Sequence, residues 1–150
     1  MENIRIYLDN CCFNRPYDNQ SSIKIRIETE AKLFIQNLVL EKQLDLVWSY
    51  VLEFENEANP YKIRKNEIRI WKNLSKLITE PSLDIVILAE NLQNLNIRSK
   101  DALHISCAIK SNASYFITTD SFLIKKSKEI KEIQIINPLQ FIEIFEELKK

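Results

Sequence analysis

No glycine occurs anywhere in the 150 residues of this chain. Average usage of about 7% would supply about ten. Any turn that needs positive φ must therefore use another residue, and Asn or Asp tolerates it best. Asn10, Asn112 and Asn137 are the positions expected to do so. The absence also removes several kinds of phosphate chemistry. There is no G-x-G-x-x-G dinucleotide fingerprint and no P-loop. There is no G-x-S-x-G elbow and no EF-hand turn glycine. Ile (23), Lys (15) and Asn (14) are abundant and share A/T-rich codons, so base composition alone accounts for the bias. Whatever chemistry the chain performs must come from side chains.

Length and charge bound the rest. A chain of this size forms one domain with a sizeable core. With 45% hydrophobic and 28% charged residues it reads as a soluble globular protein. No stretch approaches a membrane span. The start MENIRIYLDN lacks a basic segment followed by an apolar one, so a cytoplasmic location is expected. Net charge is zero, so nucleic acid must be met by a local basic patch. Cys11 and Cys12 are adjacent, Cys107 stands alone, and His104 is the single histidine. That set supports neither a disulfide framework nor a structural zinc site. A bound metal would need carboxylate ligands, which points to Mg²⁺ or Mn²⁺.

Hydrophobic periodicity alternates strand and helix along the chain. Ile4–Leu8 reads as a strand and Asp9–Gln20 as a loop. Ile23–Gln43 reads as a helix with Ile27, Ala31, Phe34, Ile35, Leu38 and Val39 on one face. Leu44–Trp48 is a short strand, followed by a helix over Tyr50–Asn59. Pro60 suits the first turn of another helix running to Ile78. Leu83–Leu88 fits either a strand or a helix start, and Ile87–Asn96 has a helical pattern. Ser99–Ser111 is a helix with Ser99 as its N-cap. Tyr115–Thr118 is a strand, Asp120–Lys128 a helix, Ile133–Ile136 a strand and Pro138–Lys149 a final helix. The alternation predicts an α/β fold with a mainly parallel sheet and helices on both faces.

Ligands of open parallel sheets bind beyond the carboxyl ends of the strands. Asp9 directly follows the first strand and Asp120 follows the Tyr115–Thr118 strand. Asp9 also suits an Asx turn, and Asp120 a helix cap. On the Tyr50–Asn59 helix, with Val51 at the origin, Phe54, Glu55 and Ala58 share its apolar arc while Glu53 and Glu57 fall opposite. A buried Glu55 requires a partner or a cation. Asp101 lies in a first helical turn, where acids suit the dipole, yet it shares a face with Ile105 and Ala108. His104 is its i+3 neighbour and a hydrogen-bond candidate. Four converging carboxylates repel unless cations sit between them. Mg²⁺-type sites of this composition serve phosphodiester hydrolysis.

The segments Tyr7-Leu-Asp-Asn10, Ser49-Tyr-Val-Leu-Glu-Phe-Glu55, Lys100-Asp-Ala-Leu-His104 and Thr118-Thr-Asp120, in that order, resemble the PIN domain. This is the metal-dependent ribonuclease fold that includes VapC-type toxins. The resemblance runs from Ile4 to Asn137. It implies a three-layer α/β/α sandwich around a mainly parallel sheet of about five strands. It also implies that Asp9, Glu55, Asp101 and Asp120 form the catalytic metal site, with Thr118 matching the family's hydroxyl two residues before the last Asp; Asn10 and His104 stand beside these acids as supporting candidates. The family often places Thr or Ser, then Asn, after the first Asp; Asn10 and Cys11 stand there instead. Phe13-Asn-Arg-Pro-Tyr-Asp18 looks like a subgroup feature, and Arg15 reads equally as a phosphate contact or as part of a plain surface loop.

Lys62, Lys65, Arg69, Lys72 and Lys76 recur at helical spacing and read as either a solvated face or a phosphate-binding stripe. Lys125, Lys126, Lys128 and Lys131 form a second basic cluster. Single-stranded or structured RNA suits such a site. The leading expectation is a Mg²⁺/Mn²⁺-dependent endoribonuclease, the toxin of a toxin–antitoxin pair. An antitoxin partner and a homodimer follow from the resemblance alone. The alternative is a non-catalytic PIN-like module that binds RNA or protein. A phosphoryl-aspartate protein is disfavoured because Cys11 occupies the position where a haloacid-dehalogenase-type phosphatase needs its second Asp.

Overall fold

A computed structural model describes residues 2–150. Five strands form one parallel sheet: β1 (Ile4–Leu8), β2 (Leu44–Ser49), β3 (Leu77–Thr79), β4 (Tyr115–Ile117) and β5 (Gln134–Ile136). Their order is β3-β2-β1-β4-β5. Eight α-helices surround the sheet among the described residues: α1 (Asn10–Asn14), α2 (Ile23–Leu40), α3 (Tyr50–Glu57), α4 (Lys62–Asn73), α5 (Leu83–Leu92), α6 (Ser99–Lys110), α7 (Ser121–Lys126) and α8 (Pro138–Leu148). Strands β2 and β4 leave β1 on opposite sides. The switch in strand order therefore falls at β1 and β4, where a crevice opens beyond the strand ends.

Alternation along the strands sorts the core into two layers. Tyr7 is paired with Phe116 in the register and stacks on it at 5.2 Å, and it meets His104 of α6 edge-on. The neighbouring Tyr115 points the other way, to Phe141 of α8. Helices α5 and α6 pack together, as do α2 and α8, giving an α/β/α sandwich. Ile6, Tyr7 and Leu8 are fully buried, as a central parallel strand requires.

The missing glycine is met at three positions. Lys42, Asn96 and Asn112 take positive φ. Lys42 and Asn112 each end a helix in a Schellman arrangement. Lys42 N–H donates to Val39 O at 3.0 Å and Gln43 N–H to Leu38 O at 2.8 Å. Asn112 N–H donates to Ile109 O and Ala113 N–H to Ala108 O, both at 3.0 Å. Asn112 meets the expectation, but Asn10 lies inside α1 and Asn137 is an extended N-cap at φ −86°. The left-handed conformation costs an L-residue about 1–2 kcal/mol, and Asn tolerates it better than Lys.

Other boundaries differ from the pattern-based reading. The helix after Pro60 begins at Lys62 and stops at Asn73, and Leu77–Thr79 forms the edge strand β3 instead of a final helical turn. Leu83 opens a helix, which settles that alternative. Helix α6 starts at Ser99 with Arg98 in the cap position, and no side chain caps it. Helix α2 ends at Leu40, and Ile27 and Phe34 remain about half exposed at the edge of its packed face. Phe54, placed by the wheel in an apolar arc, is 71% exposed, while Asn56 is buried and donates to Lys65 O at 2.9 Å, tying α3 to α4.

Candidate active site

The four acids identified in the sequence meet in one cleft of about 340 Å³, lined also by Asn10, Cys11, Asn14 and Asp18. Each arrives from a different element. Asp9 directly follows β1 and caps α1, its backbone N–H bonded to Ile117 O at 2.9 Å across the switch point. Glu55 projects from α3, Asp101 from the first turn of α6, and Asp120 caps α7.

Asp9 is buried and well held. Its Oδ1 accepts from Asn10 N–H at 2.8 Å, and its Oδ2 accepts from Thr118 Oγ1 at 2.8 Å. Thr118 Oγ1 also accepts from Asp120 N–H at 3.1 Å, so one hydroxyl ties the two aspartates together. Cys11 Sγ lies 3.5 Å from Asp9 Oδ2 and 3.3 Å from Thr118 Oγ1, which puts its thiol within this network. Asn10 Nδ2 donates to Glu55 Oε2 at 3.2 Å, linking the first acid's neighbour to the second acid. The two departures from the family pattern thus sit inside the site's hydrogen-bonding scheme.

Glu55 takes a second donor from an unexpected direction. His104 Nε2 hydrogen-bonds Glu55 Oε1, whereas no bond joins His104 to Asp101, its i+3 neighbour. Lys100 Nζ stands 4.0 Å from Glu55 Oε2. Burial alone would raise the Glu55 carboxyl, but His104, Lys100 and Asn10 together hold it below its ordinary value. Asp101 moves the other way. Burial raises it first, then the negative charges of Asp9, Asp120 and Glu55, against a smaller opposing effect of His104. Burial is thus the largest cause of the upward shift, and the neighbouring carboxylates add to it.

Asp120 fulfils both of its sequence readings. Its Oδ1 accepts from Phe122 N–H at 3.0 Å and Leu123 N–H at 3.1 Å as an N-cap, while the same side chain lines the acidic cleft. The cleft continues past Asp101 and Asp120 into a hollow of about 270 Å³ bordered by Arg98, Phe122 and Lys126. Neither Arg98 nor Lys126 makes an ion pair among the described residues, and Phe122 is 73% exposed. Lys126 belongs to the second basic cluster. Arg98 and Phe122 carry no periodic signal, and only the folded arrangement brings them to the acids.

The expected basic stripe has less freedom. Lys65 pairs with Glu57 at 3.1 Å, Arg69 with both Glu53 and Glu57, and Lys72 with Glu53 at 3.5 Å. These cations are bound to acids of α3, and Lys62 and Lys76 alone of the stripe make no ion pair among the described residues. Arg15 is likewise engaged, with Glu28 at 2.6 Å and Asp18 at 3.0 Å. Its position is explained by folding of the loop onto α2.

The donor set fits a hard divalent cation. Four carboxylates face one cleft, and Asp101 is raised by burial first and then by the charge of the other three. Among the described residues, no three candidate ligands stand close enough to form a closed cluster. Mg²⁺ retains several waters and takes one or two carboxylates, so it does not require such a cage.

Among the solved structures that share this fold are two VapBC chains. One is a chain of VapBC2 from Rickettsia felis, bound to a DNA fragment from its promoter. It is 18% identical, with 89% of this chain and 98% of that chain covered, at a TM-score of 0.54. The other is a chain of VapBC-1 from nontypeable Haemophilus influenzae, 16% identical, with 91% and 99% covered, at a TM-score of 0.58. At these identities the likeness is one of fold, and it bears out the PIN-like α/β/α sandwich. No family model and no curated protein matches the sequence. Among the described residues, no helix is long and apolar enough to cross a membrane.

Proposed function

We propose that the chain is a PIN-type endoribonuclease that uses Mg²⁺ or Mn²⁺, and that it acts as the toxin of a toxin–antitoxin pair. The observation that carries the reading is the convergence of Asp9, Glu55, Asp101 and Asp120 at the switch point of a PIN-like sheet. An ion held by these carboxylates would lower the pKa of an attacking water and stabilise charge on the phosphate oxygens.

The chain's own residues supply the setting. Thr118 and Asn10 fix Asp9 and Glu55, so the acids need little reorganisation when substrate arrives. Glu55, held below its ordinary pKa, stays ionised at neutral pH. The Asp101 side chain makes no hydrogen bond among the described residues and is raised in pKa, which makes it the carboxyl best suited to take a proton from the attacking water. Arg98 and Lys126 supply cations for the phosphates on either side of the scissile bond. Phe122 offers an exposed ring on which an unpaired base can stack, which favours single-stranded RNA over a duplex. Lys62, which makes no ion pair among the described residues, is a further candidate for phosphate contact.

Both similar structures are of VapBC complexes. That supports an antitoxin as the partner of this chain.

Incubating purified protein with single-stranded RNA, with and without Mn²⁺, tests the reading. Cleavage is expected only with the metal and is expected to vanish in Asp9→Asn and in Asp101→Asn while both variants stay folded. Undiminished cleavage by both variants would remove these acids from the chemistry. Binding of RNA without cleavage by the wild type would favour the non-catalytic module.

A further inference from the structure

A run of buried hydrogen bonds ends on Glu55. Leu52 N–H donates to Ser49 Oγ at 3.1 Å, Ser49 Oγ lies 2.6 Å from the Tyr7 hydroxyl, and that hydroxyl lies 2.5 Å from His104 Nδ1. His104 Nε2 then meets Glu55 Oε1. Tyr7, Ser49 and His104 are all fully or almost fully buried. Three acid-bearing elements are tied together in this way: β1, two residues before Asp9; α3, through its own N-cap; and α6, three residues after Asp101.

Donor counting gives the run a direction. The Glu55 carboxylate can only accept, so Nε2 carries a proton. In the neutral ring Nδ1 is then an acceptor and takes the Tyr7 hydroxyl proton, which leaves the Tyr7 oxygen to accept from Ser49 Oγ–H. Asn10 holds the other oxygen, Oε2, from the opposite side.

We propose that Tyr7, Ser49 and His104 are positioning residues for the cleft: they lock the imidazole in its Nε2–H form so that it fixes Glu55 and leaves only Oε2 toward the cleft. Partners of this kind orient ligands in metal sites, and losing one typically costs about 10–100-fold in affinity or activity. The functional half of this statement rests on the proposed nuclease site, whereas the state of the ring does not.

His104 is the single histidine of the chain, so imidazole ¹⁵N spectra need no assignment. In the neutral ring of the metal-free protein, one pyrrole-type nitrogen, Nε2, and one pyridine-type nitrogen, Nδ1, are expected. Tyr7→Phe keeps the ring that stacks on Phe116 and is expected to release this single form into an averaged one. A proton on Nδ1 in the wild type, or spectra unchanged by Tyr7→Phe, would overturn the lock. Calorimetric titration with Mn²⁺ reads the consequence. Affinity is expected to fall about 10–100-fold in His104→Ala. It is expected to recover in His104→Gln, whose amide N–H can reach the same oxygen. Equal affinity in all three proteins, or equal loss in both variants, would overturn the positioning role. A wild type with the locked ring and no Mn²⁺ uptake would contradict the metal reading and leave the lock standing.

Discussion

Burial, followed by the charges of Asp9, Asp120 and Glu55, makes ionisation of Asp101 unfavourable in the folded chain. Its folded pKa lies above its unfolded value, so its stability contribution is complete below the unfolded pKa and is lost as pH rises through the folded one. Glu55 is the opposite case. Its pKa is lowered on folding, so its contribution is present above the unfolded value and is lost as pH falls through the folded one. In metal-free protein at neutral pH, Asp101→Asn is therefore expected to raise the thermal midpoint and Glu55→Gln to lower it. Thermal scans by circular dichroism check this, and midpoints that move in the same direction would contradict the assigned electrostatics. The inward direction of both acids was legible from helical phase. The partner of His104 was not, because i+3 spacing points to Asp101 while the bond is made to a residue 49 positions away.

Helix α7 shows how one side chain can serve an element and the site together. The N-cap bonds of Asp120 satisfy two backbone donors, and Asn serves as an N-cap about as well as Asp. Asp120→Asn is expected to keep stability within a few tenths of a kcal/mol and Asp120→Ala to cost about 1 kcal/mol. Both are expected to lose RNA cleavage. Denaturant unfolding beside the cleavage assay separates the two roles. Cleavage retained by Asp120→Asn would make this residue a cap alone. Long apolar stretches such as β1, α2 and α6 were readable from their period. The end of α4 was not, because Leu77 and Ile78 continue its apolar spacing, and only pairing of Trp48 with Ile78 makes them a strand. Phe54 failed for a related reason: a wheel shows which residues share a face but not whether another element covers it.

On the scale of the whole molecule, strand order makes the site. With β1 central and β2 and β4 on either side, the residues after β1 and β4 must face each other across the switch point. Asp9 and Asp120, more than a hundred positions apart, come together through that order, and α3 and α6 bring the other two acids to the same crevice. Strand–helix alternation made the α/β class legible, and the four short motifs made the acids legible. The flanking Arg98, Phe122 and Lys126 were harder to see, because their role depends on where α6 and α7 begin relative to the cleft. The ion pairs of the stripe on α4 were not legible, because its partners, Glu53 and Glu57, lie on another helix.

The central claim is that these four carboxylates constitute a divalent-metal site. Isothermal titration of Mn²⁺ into the wild type and into an Asp9→Asn, Asp101→Asn double variant tests it most directly. The account predicts saturable uptake by the wild type and none by the folded double variant. Absence of uptake by the folded wild type, or equal uptake by both, would contradict it.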